Sequence, residues 1–526
     1  MTAARIHTSQ FPPVEVPTTP IWQTVLAGAA ARADHPALVD GITGQVISYG
    51  RLAHMVERMA AGFAEVGVRP GDVVALHSPN TVLYPAVLYA ASRAGATVTT
   101  LSALATAKDM VGQLADSGAT LVVTVGALLP VALEAAGERP VWTCDRVEGH
   151  PSVQDLLAST GPVPDVAVDA AEDVAVLPYS SGTTALPKGV MLTHASIGVN
   201  LRQIAALRPM SPDDRIIAVL PFFHIYGMTA LMNLPLQSGA TVVLLPRFEL
   251  AQFLEVLDRE RITKVFVAPP VAVAFAKHPA VAGHDLSAID SIVSAAAPLD
   301  AEVAGAAAAR LGVPITQAYG MTELSPGTHL VPISEEGAAP PGTVGKLVPS
   351  TEARLVSLGS GEDAGPGEEG EIWIRGPQRM KGYFGRPEET DTLIDADGWL
   401  HTGDIGRVDA EGWWFVVDRV KELIKYKGYQ VAPAELEAVL LGSPDIADAA
   451  VIGVYDERGD EVPKAFVVRA PGSAVTEDDV LAFAAARTAP YKRVRRVEFL
   501  DAIPKAASGK ILRRQLRDRE RTDAPA

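Results

Sequence analysis

Short apolar runs alternate with Ala- and Leu-rich stretches between Trp22 and about Thr328. Runs rich in β-branched residues, each the length of a buried strand, occur at 73–77, 120–125, 173–179, 216–221, 241–246 and 264–269. The stretches between them have the length and composition of helices. Continuous apolar runs separated by helices are typical of parallel strands that are covered on both faces. This part of the chain is therefore predicted to form parallel α/β sheets.

The pattern changes after Pro332. Gly- and Pro-rich turns separate short strands such as 352–358 and 370–376, which predicts a small antiparallel β-barrel or sandwich. From about Asp418 helical and strand patterns follow each other over about 100 residues, a common domain size. The predicted elements there are helices at 434–442 and 477–487 and strands at 449–454, 464–470 and 494–500.

The pattern predicts the α/β fold class with two domains. Residues 1–418 form a large N-terminal domain of two parallel α/β subdomains and a small β-barrel. Residues 419–526 form a small α+β C-terminal domain.

Composition excludes several classes of protein. The 526 residues carry 45 Lys and Arg against 62 Asp and Glu, a net charge of −17, whereas a nucleic-acid or anionic-membrane binder needs a basic face. No apolar run reaches the roughly 18 residues of a membrane span, and no signal peptide is visible, so a soluble cytoplasmic protein is expected. The single Cys144 excludes an internal disulfide and a cysteine zinc cluster; it is predicted to be a structural thiol.

The segment from Tyr179 to Gly189, YSSGTTALPKG, is the strongest candidate for chemistry. Its hydroxyls, glycines and single Lys188 suit a loop that surrounds phosphate oxygens. No Gly precedes this lysine and no Ser or Thr follows it, so the loop is not a Walker A motif. Taken alone, a surface turn explains the segment equally well.

Four further segments follow in order: YGMTE (319–323), HTGD (401–404), DRVKELIKYKG (418–428) and PKAASGK (504–510). With the hydroxyl loop they resemble the adenylate-forming superfamily of acyl-CoA synthetases, adenylation domains and beetle luciferases. Two more segments, PFFHIYG (221–227) and SAAAPL (294–299), narrow the resemblance to 4-coumarate:CoA ligases and bacterial cinnamate:CoA ligases. The resemblance extends from about Trp22 to Arg514.

The resemblance implies ATP, Mg²⁺ and the co-substrate CoA, with nucleotide- and CoA-binding residues at Ser180, Ser181, Gly182, Thr183, Thr184, Lys188, Gln317, Ala318, Tyr319, Thr322, Asp404, Arg419, Lys427 and Gly428. Within this set Asp404 and Arg419 match residues that reach the ribose, and Tyr319 matches a residue that stacks on adenine. Thr184 and Glu323 match the residues that hold Mg²⁺ and the phosphates. One carboxylate with phosphate oxygens suits Mg²⁺, which keeps much of its water.

The resemblance also implies four catalytic residues. Lys510 matches the lysine that bridges the substrate carboxylate and the α-phosphate, and His224 lies close to that carboxylate. Lys425 and Gln430 match residues of thioester formation, and Lys421 matches the hinge about which the C-terminal domain reorients. The other basic residues near the C-terminus are interpreted as a solvated basic tail: Lys492, Arg493, Arg495, Arg496, Lys505, Arg513 and Arg514.

The resemblance places Tyr226, Ala230, Ala295, Ala318 and Pro326 in the acyl pocket. Ala230 replaces a Ser that is common in plant coumarate ligases, and Ala295 and Ala318 replace glycines. Losing a hydroxyl partner and adding two methyls disfavours a para-hydroxyl group, because an unpaired buried polar group costs about 1–3 kcal/mol. The pocket is therefore predicted to prefer cinnamate, with benzoate-like and medium-chain aliphatic acids as open alternatives.

The expected activity is an ATP-dependent acid:CoA ligase that forms an acyl-adenylate and then a thioester. Its partners are a small carboxylic acid, ATP and CoA, without nucleic acid or membrane span; a homodimer is left open. The alternatives are an adenylation enzyme that loads a carrier protein, a luciferase-like oxygenase and a catalytically inactive nucleotide-binding regulator. An acidic side chain near residues 221–227 would favour an amino-acid substrate, and the chain has no Asp or Glu in that segment.

Overall fold

The computed structural model describes residues 5–180, 187–426, 429–456, 460–506 and 509–523. In chain order the α-helices of these residues are α1 (Ile21–Leu26), α2 (Tyr49–Glu65), α3 (Tyr84–Arg93), α4 (Ala107–Asp116), α5 (Leu129–Ala136), α6 (Val153–Leu156), α7 (His194–Leu207), α8 (Leu234–Ser238), α9 (Leu250–Arg259), α10 (Pro269–Lys277), α11 (Ala301–Leu311), α12 (Pro387–Leu393), α13 (Pro433–Leu441), α14 (Glu477–Ala485) and α15 (Arg513–Asp523).

The strands of the same residues are β1 (His7–Thr8), β2 (Pro36–Asp40), β3 (Val46–Ser48), β4 (Val73–His77), β5 (Thr97–Leu101), β6 (Leu121–Thr124), β7 (Val141–Thr143), β8 (Val174–Leu177), β9 (Tyr179–Ser180), β10 (Lys188–Thr193), β11 (Arg215–Ala218), β12 (Thr241–Leu244), β13 (Lys264–Val267), β14 (Ser291–Ser294), β15 (Ile315–Gly320), β16 (Gly327–Leu330), β17 (Lys346–Leu347), β18 (Glu352–Val356), β19 (Gly370–Arg375), β20 (Gly382–Tyr383), β21 (Leu400–Val408), β22 (Trp414–Arg419), β23 (Ile424–Tyr426), β24 (Tyr429–Val431), β25 (Ile446–Tyr455), β26 (Glu461–Arg469) and β27 (Arg496–Phe499).

Two large sheets contain the six predicted apolar runs. In the described residues the first sheet has the order β20-β10-β8-β5-β4-β6-β7, with β9 paired to β10, and the second has the order β17-β16-β15-β14-β13-β11-β12-β2-β3. Strands β8, β5, β4, β6 and β7 are parallel to their neighbours in this order, as are β15, β14, β13, β11, β12 and β2. The predicted parallel sheets are confirmed, with antiparallel strands added at their edges.

The Gly- and Pro-rich part forms a five-stranded antiparallel sheet, with the order β1-β18-β19-β21-β22 in the described residues. The predicted barrel corresponds to this half-barrel sheet. The first strand comes from the N-terminus, where the sequence pattern predicted no element.

One continuous apolar core joins the two large sheets. It includes the fully buried side chains of Phe63 on α2 and of Tyr84 and Tyr89 on α3. It also includes Phe222, which follows β11, and Val242 of β12 in the second sheet. Burial of large apolar side chains is the main favourable contribution to folding. Cys144 also lies in this core, where burial raises the pKa of its thiol to about 12, in agreement with a structural thiol.

The chain beyond β22 has separate cores of its own. Helices α13 and α14 pack against the sheet β25-β26-β27 around Leu436, Val451 and Val467, and Leu516 of α15 packs against its other side with Phe466. This is the predicted α+β unit. None of the described helices combines the length and the apolar character needed to cross a membrane.

Gly227 permits a close approach of two backbone segments. A Cβ atom at this position would lie 2.1 Å from the carbonyl oxygen of Pro221. We expect Gly227→Ala to lower the free energy of unfolding by about 3 kcal/mol, at the upper end for overpacking, measured as a lower Tm. Gly305→Ala is the matched control, because open space surrounds Gly305 within α11. Equal Tm values for the two variants would contradict the packing argument.

Candidate active site

The segment 221–227 is held between the two large sheets by side chains from the first. Asn80 Nδ2 donates to the carbonyl oxygens of Ala218 (3.0 Å) and Leu220 (2.9 Å), and its Oδ1 accepts from Phe222 N (2.8 Å). Thr100 Oγ1 donates to the carbonyl oxygen of Phe223 at 2.8 Å. The segment leads into a π-helix, Gly227–Asn233, which the sequence pattern did not predict. Such single π-turns are frequent at functional sites.

His224 is a neutral hydrogen-bond donor. Burial and the positive charge of Lys510 lower the pKa of its imidazole to about 4. The Tyr226 N–H donates to His224 Nδ1 at 3.3 Å, so the single proton of the ring lies on Nε2. The side chain therefore offers an Nε2–H donor at neutral pH.

An apolar cavity of about 580 Å³, its open mouth included, begins at His224. Most of its lining residues are apolar or small, among them Ile204, Ala230, Phe266, Val293, Ala295, Ala318, Pro326 and Leu330. Its other polar side chains are Tyr226, Tyr319 and Thr322, and no Asp, Glu, Lys or Arg of the described chain lines it.

The five residues predicted for the acyl pocket all line this cavity. Ala230 lies on the π-helix and is almost fully buried. Tyr226 OH makes only long contacts, 3.4 Å to the Val267 carbonyl oxygen and 3.5 Å to that of Val293. The cavity ends where parallel strands β13 and β14 end, which is the usual place for ligands in an α/β sheet.

Asp404 is a buried acceptor at the other side of Tyr319. Tyr319 OH donates to Asp404 Oδ2 at 2.6 Å, and Arg419 Nε lies 2.9 Å from Oδ1. The cross-strand register of β21 and β22 places Asp404 directly opposite Arg419. Tyr319 also contacts His329, with ring centroids 5.5 Å apart. The structure thus brings together the three residues predicted to bind adenosine.

Gln317 and Thr322 frame the same edge of β15. Gln317 Oε1 accepts from Leu299 N at 2.8 Å and so fixes the end of the segment 294–299 beside the cavity. Thr322 opens the short 3-10 turn Thr322–Leu324 that follows the strand. The predicted position of Glu323 at the carboxyl end of a strand is confirmed.

Glu323 lies at the base of the hydroxyl loop. Its Oε1 accepts from Ser180 Oγ at 2.8 Å and from Tyr383 OH at 2.9 Å, and the residue is only 4% exposed. Burial and this carboxylate raise the pKa of Tyr383. Its second oxygen has no hydrogen-bond partner among the described residues. No group of three or more His, Cys, Asp or Glu of the described chain forms a metal cage. A carboxylate with one oxygen left over fits Mg²⁺, which binds one or two carboxylates together with substrate phosphates and water.

Lys188 lies opposite Ser180 in the antiparallel pair of β9 and β10. Its ammonium forms an ion pair with Glu389 of α12 and lies 4.8 Å from the centre of the Tyr383 ring. The lysine is therefore held at the base of the loop. Four residues predicted to bind phosphate or Mg²⁺, Ser181, Gly182, Thr183 and Thr184, lie outside the described residues.

Lys510 of the C-terminal unit lies close to His224, the pKa of whose imidazole its positive charge lowers. The turn that carries Lys510 packs closely on the N-terminal part of the chain. A Cβ atom added at Gly509 would lie only 2.8 Å from the Cβ of Ala268. Burial, with a further contribution from Arg419, lowers the pKa of the Lys510 ammonium to about 8. Within the described chain its Nζ has no hydrogen-bond or ion-pair partner.

The residues predicted for the second step lie elsewhere. Lys425 is exposed on β23 and faces Gln430 of β24 in the strand register. Lys421 is exposed in the turn between β22 and β23. Lys427 and Gly428 lie outside the described residues.

The predicted solvated basic tail is wrong for several of its members. Lys492 and Lys505 are largely covered and form ion pairs with Glu435 and Asp448, and Arg513 departs furthest from the prediction. Arg513 is buried, with 11% of its side chain exposed, and forms ion pairs with Glu422 and Glu437. An arginine at the start of a helix rich in arginines carries no sequence signal of burial. Asn80, Tyr383 and Glu389 were also missed; Tyr383 and Glu389 lie in a segment, GYFGRPEE, that differs from a surface turn only through its contacts in the fold.

Comparisons with known proteins identify the family. Residues 26–384 match the family model of the AMP-binding enzyme, and residues 435–510 match that of the AMP-binding enzyme C-terminal domain. The chain belongs to the AMP-binding enzyme family. Within the family it is 40% identical to 4-coumarate--CoA ligase 5 of Oryza sativa subsp. japonica, over 99% of this chain and 98% of that one.

Two solved structures of the family share the fold. The anthranilate CoA ligase AuaEII in complex with anthranoyl-AMP has a TM-score of 0.89 and 26% identity, covering 96% of this chain and 98% of that chain. A benzoate CoA ligase from Burkholderia xenovorans LB400 has a TM-score of 0.86 and 27% identity, covering 95% and 100%. The adenylate-forming resemblance and the α/β fold class are thus confirmed.

The buried position of Lys510 predicts an unusual titration. The amine is protonated below about pH 8 and neutral above it. Because only the neutral amine reacts, the rate of its acetylation by limiting acetic anhydride should rise around that pH. This midpoint lies well below the ordinary lysine pKa of about 10.4. Peptide mass spectrometry against pH measures the midpoint, and Lys108, exposed on α4, provides the surface reference in the same digest. A midpoint above pH 10 would contradict the desolvated position.

Proposed function

We propose that this family member is an ATP-dependent acid:CoA ligase that activates an aryl carboxylic acid as its adenylate and transfers the acyl group to CoA. One observation supports this most strongly: the half-buried Lys510 ammonium lies close enough to His224, which lines the apolar cavity, to lower the pKa of its imidazole, and no described carboxylate pairs with it. A desolvated cation without a counter-anion is suited to stabilise negative charge that arrives with a substrate.

In the first half-reaction the carboxylate oxygen attacks the α-phosphorus of ATP, forms the acyl–phosphate bond and releases pyrophosphate. The apolar cavity holds the acyl group, and His224 Nε2–H donates to the carboxylate and orients it. Lys510 stabilises the charge that builds between carboxylate and phosphate. Asp404 exchanges its bonds with Tyr319 and Arg419 for the ribose hydroxyls.

Glu323 would hold Mg²⁺ together with the phosphates. The metal, when bound, neutralises phosphate charge. Ser180 and Tyr383 fix the carboxylate by donating to one oxygen, which leaves the other oxygen for the metal.

In the second half-reaction the CoA thiolate attacks the acyl carbonyl, and AMP leaves. We assign Lys425 and Gln430 to this step and Lys421 to the hinge between residues 1–418 and 419–526. Lys510 is half-buried close to His224, whereas Lys425 is exposed. One arrangement of the two parts therefore serves only the first step, and a hinge at the end of a strand permits the second.

The cavity supports an aryl acid. Its lining includes no carboxylate that would bind the ammonium of an amino acid, and relatives named for coumarate, anthranilate and benzoate share its fold or sequence. Ala230 is buried against the cavity and offers no hydroxyl to a ring substituent. Cinnamate is therefore the proposed substrate, ahead of 4-coumarate.

The activity is tested by a panel of acids with MgATP and CoA. We expect kcat/KM for cinnamate to be about 10-fold higher than kcat/KM for 4-coumarate. This difference is the expected effect of one unpaired polar group. Acyl-CoA mass and pyrophosphate release are measured for cinnamate, 4-coumarate, benzoate and octanoate. Octanoyl-CoA in excess would overturn the aryl substrate, and pyrophosphate without acyl-CoA would indicate a carrier-protein acceptor.

Ala230→Ser and Ala295→Gly test the pocket itself. Each is expected to raise kcat/KM for 4-coumarate more than for cinnamate, because one restores a hydroxyl partner and the other removes a methyl group. No gain for 4-coumarate from either variant would remove this explanation of selectivity, whatever the panel shows.

The roles of Lys510 and Lys425 can be distinguished by measuring the two half-reactions separately. We expect Lys510→Ala to lower acid-dependent ATP–pyrophosphate exchange by about 100- to 1,000-fold, the usual cost of losing a stabiliser of transition-state charge. Lys425→Ala should leave that exchange within threefold and slow CoA thioester formation from the prepared acyl-adenylate. Unimpaired exchange in Lys510→Ala would contradict the mechanism.

A further inference from the structure

Arg513 is the first residue of α15 and follows Lys510 by three positions. Its three guanidinium nitrogens all donate: Nη1 to Glu422 Oε2 (2.7 Å), Nη2 to both carboxylate oxygens of Glu437 (2.6 and 2.7 Å), and Nε to the Val451 carbonyl oxygen (3.3 Å). Such a fork of donors belongs to arginine and is not reproduced by lysine. The side chain is thus a fixed junction between separate parts of the C-terminal unit.

Its two acidic partners lie on different elements. Glu437 is buried on α13 and also accepts from Val451 N at 2.8 Å. Glu422 lies in the turn that follows Lys421, where its N–H donates to the Arg419 carbonyl oxygen at 3.0 Å. Arg513 therefore joins the end of the Lys510 turn to the turn that connects the two parts of the chain.

The Lys510 side chain has no such anchor of its own. Its backbone is fixed by bonds from Ala506 N to the Lys510 carbonyl oxygen and from Leu512 N to that of Pro504, both 2.8 Å. On the far side α15 is held by the buried Leu516. The position of the ammonium therefore depends on the backbone between Gly509 and Arg513.

The same residues set the field at Lys510. Asp404 and Glu422 favour its charged form, whereas Arg419 and Arg513 disfavour it, and the neutral His224 lies on the cavity side. A displacement of the turn or the loss of one of these charges should therefore be visible in the titration of Lys510.

We propose that Arg513 is a positioning residue for Lys510: by joining Glu422 and Glu437 it fixes the turn that presents the ammonium to the reacting carboxylate and phosphate. The inference rests on the proposed function, in which Lys510 acts in acyl-adenylate formation. It assigns Arg513 to that half-reaction and not to thioester formation.

The kinetic test uses the full-length enzyme with Arg513→Lys, which keeps the charge and loses the fork. We expect ATP–pyrophosphate exchange to fall about 10- to 100-fold, the scale of an ångström-sized misplacement. Thioester formation from the prepared acyl-adenylate should stay within threefold. Arg514→Gln is the matched control, since its side chain is 70% exposed one residue further along, and it should leave both rates unchanged.

Removal of the arginine charge needs a second variant, because Arg513→Gln alone leaves Glu437 as a buried unpaired carboxylate, which is strongly destabilising. The double variant Arg513→Gln with Glu437→Gln avoids this charge. It should reproduce the selective loss of pyrophosphate exchange.

The titration test requires no substrate. In Arg513→Lys the loosened ammonium becomes hydrated, so the acetylation midpoint of Lys510 should move to higher pH. In Glu422→Gln an anion is lost while the amide still accepts from Arg513, so the midpoint should move to lower pH. A merely structural role predicts no opposite shifts.

Selective loss of exchange together with opposite midpoint shifts would support the proposal. An unchanged exchange rate, an equal fall of both half-reactions or an unmoved Lys510 midpoint in Arg513→Lys would overturn it. Failure of the proposed function has a separate signature: the wild type would then show no acid-dependent exchange, while the substrate-free titration would still decide whether Arg513 positions Lys510.

Discussion

The site depends on one constraint: a cation must be kept out of water without being neutralised by the protein itself. Lys510 meets it, because burial lowers the pKa of its amine to about 8, while the nearest carboxylates are engaged elsewhere. Asp404 is bonded to Tyr319 and Arg419, and Glu422 is bonded to Arg513. Both of these carboxylates are thus occupied, so under the proposed function the charge of Lys510 remains for the substrates.

The same constraint explains why the cavity is apolar. Under the proposed function, the hydrophobic wall beside His224 would keep the reacting carboxylate away from water, and this would strengthen the attraction between that carboxylate and the Lys510 ammonium. The wall can form because Asn80 and Thr100 hold the segment 221–227 against the first sheet, and because Gly227 lets the backbone turn back on Pro221. The packing of the two sheets and the electrostatics of the site therefore depend on the same residues.

Sequence reasoning succeeded where a residue's role follows from local pattern. The runs at 73–77 and 264–269 form the parallel strands β4 and β13, and Glu323 follows a strand end as its spacing from Gly320 indicated. It failed where the role comes from distant contacts. Arg513 begins a polar helix and was interpreted as solvated, yet its partners lie 76 and 91 residues away. The π-helix and Tyr383 were missed for the same reason, because tertiary packing decides them.

A buried ion network and a moving lysine make opposite demands. The network of Arg513, Glu422 and Glu437 is costly to open, since removing one partner leaves an unpaired buried charge. All three residues lie after Lys421, so a rotation about that position leaves their bonds intact and carries Lys510 away with them. Asp418, before that position, accepts from Ala434 N at 3.0 Å across the junction. Lys277 Nζ likewise donates to the Leu441 carbonyl oxygen at 2.9 Å between the two parts. The proposed rotation would break such single bonds and not the network, so the lysine turn would move as a rigid unit.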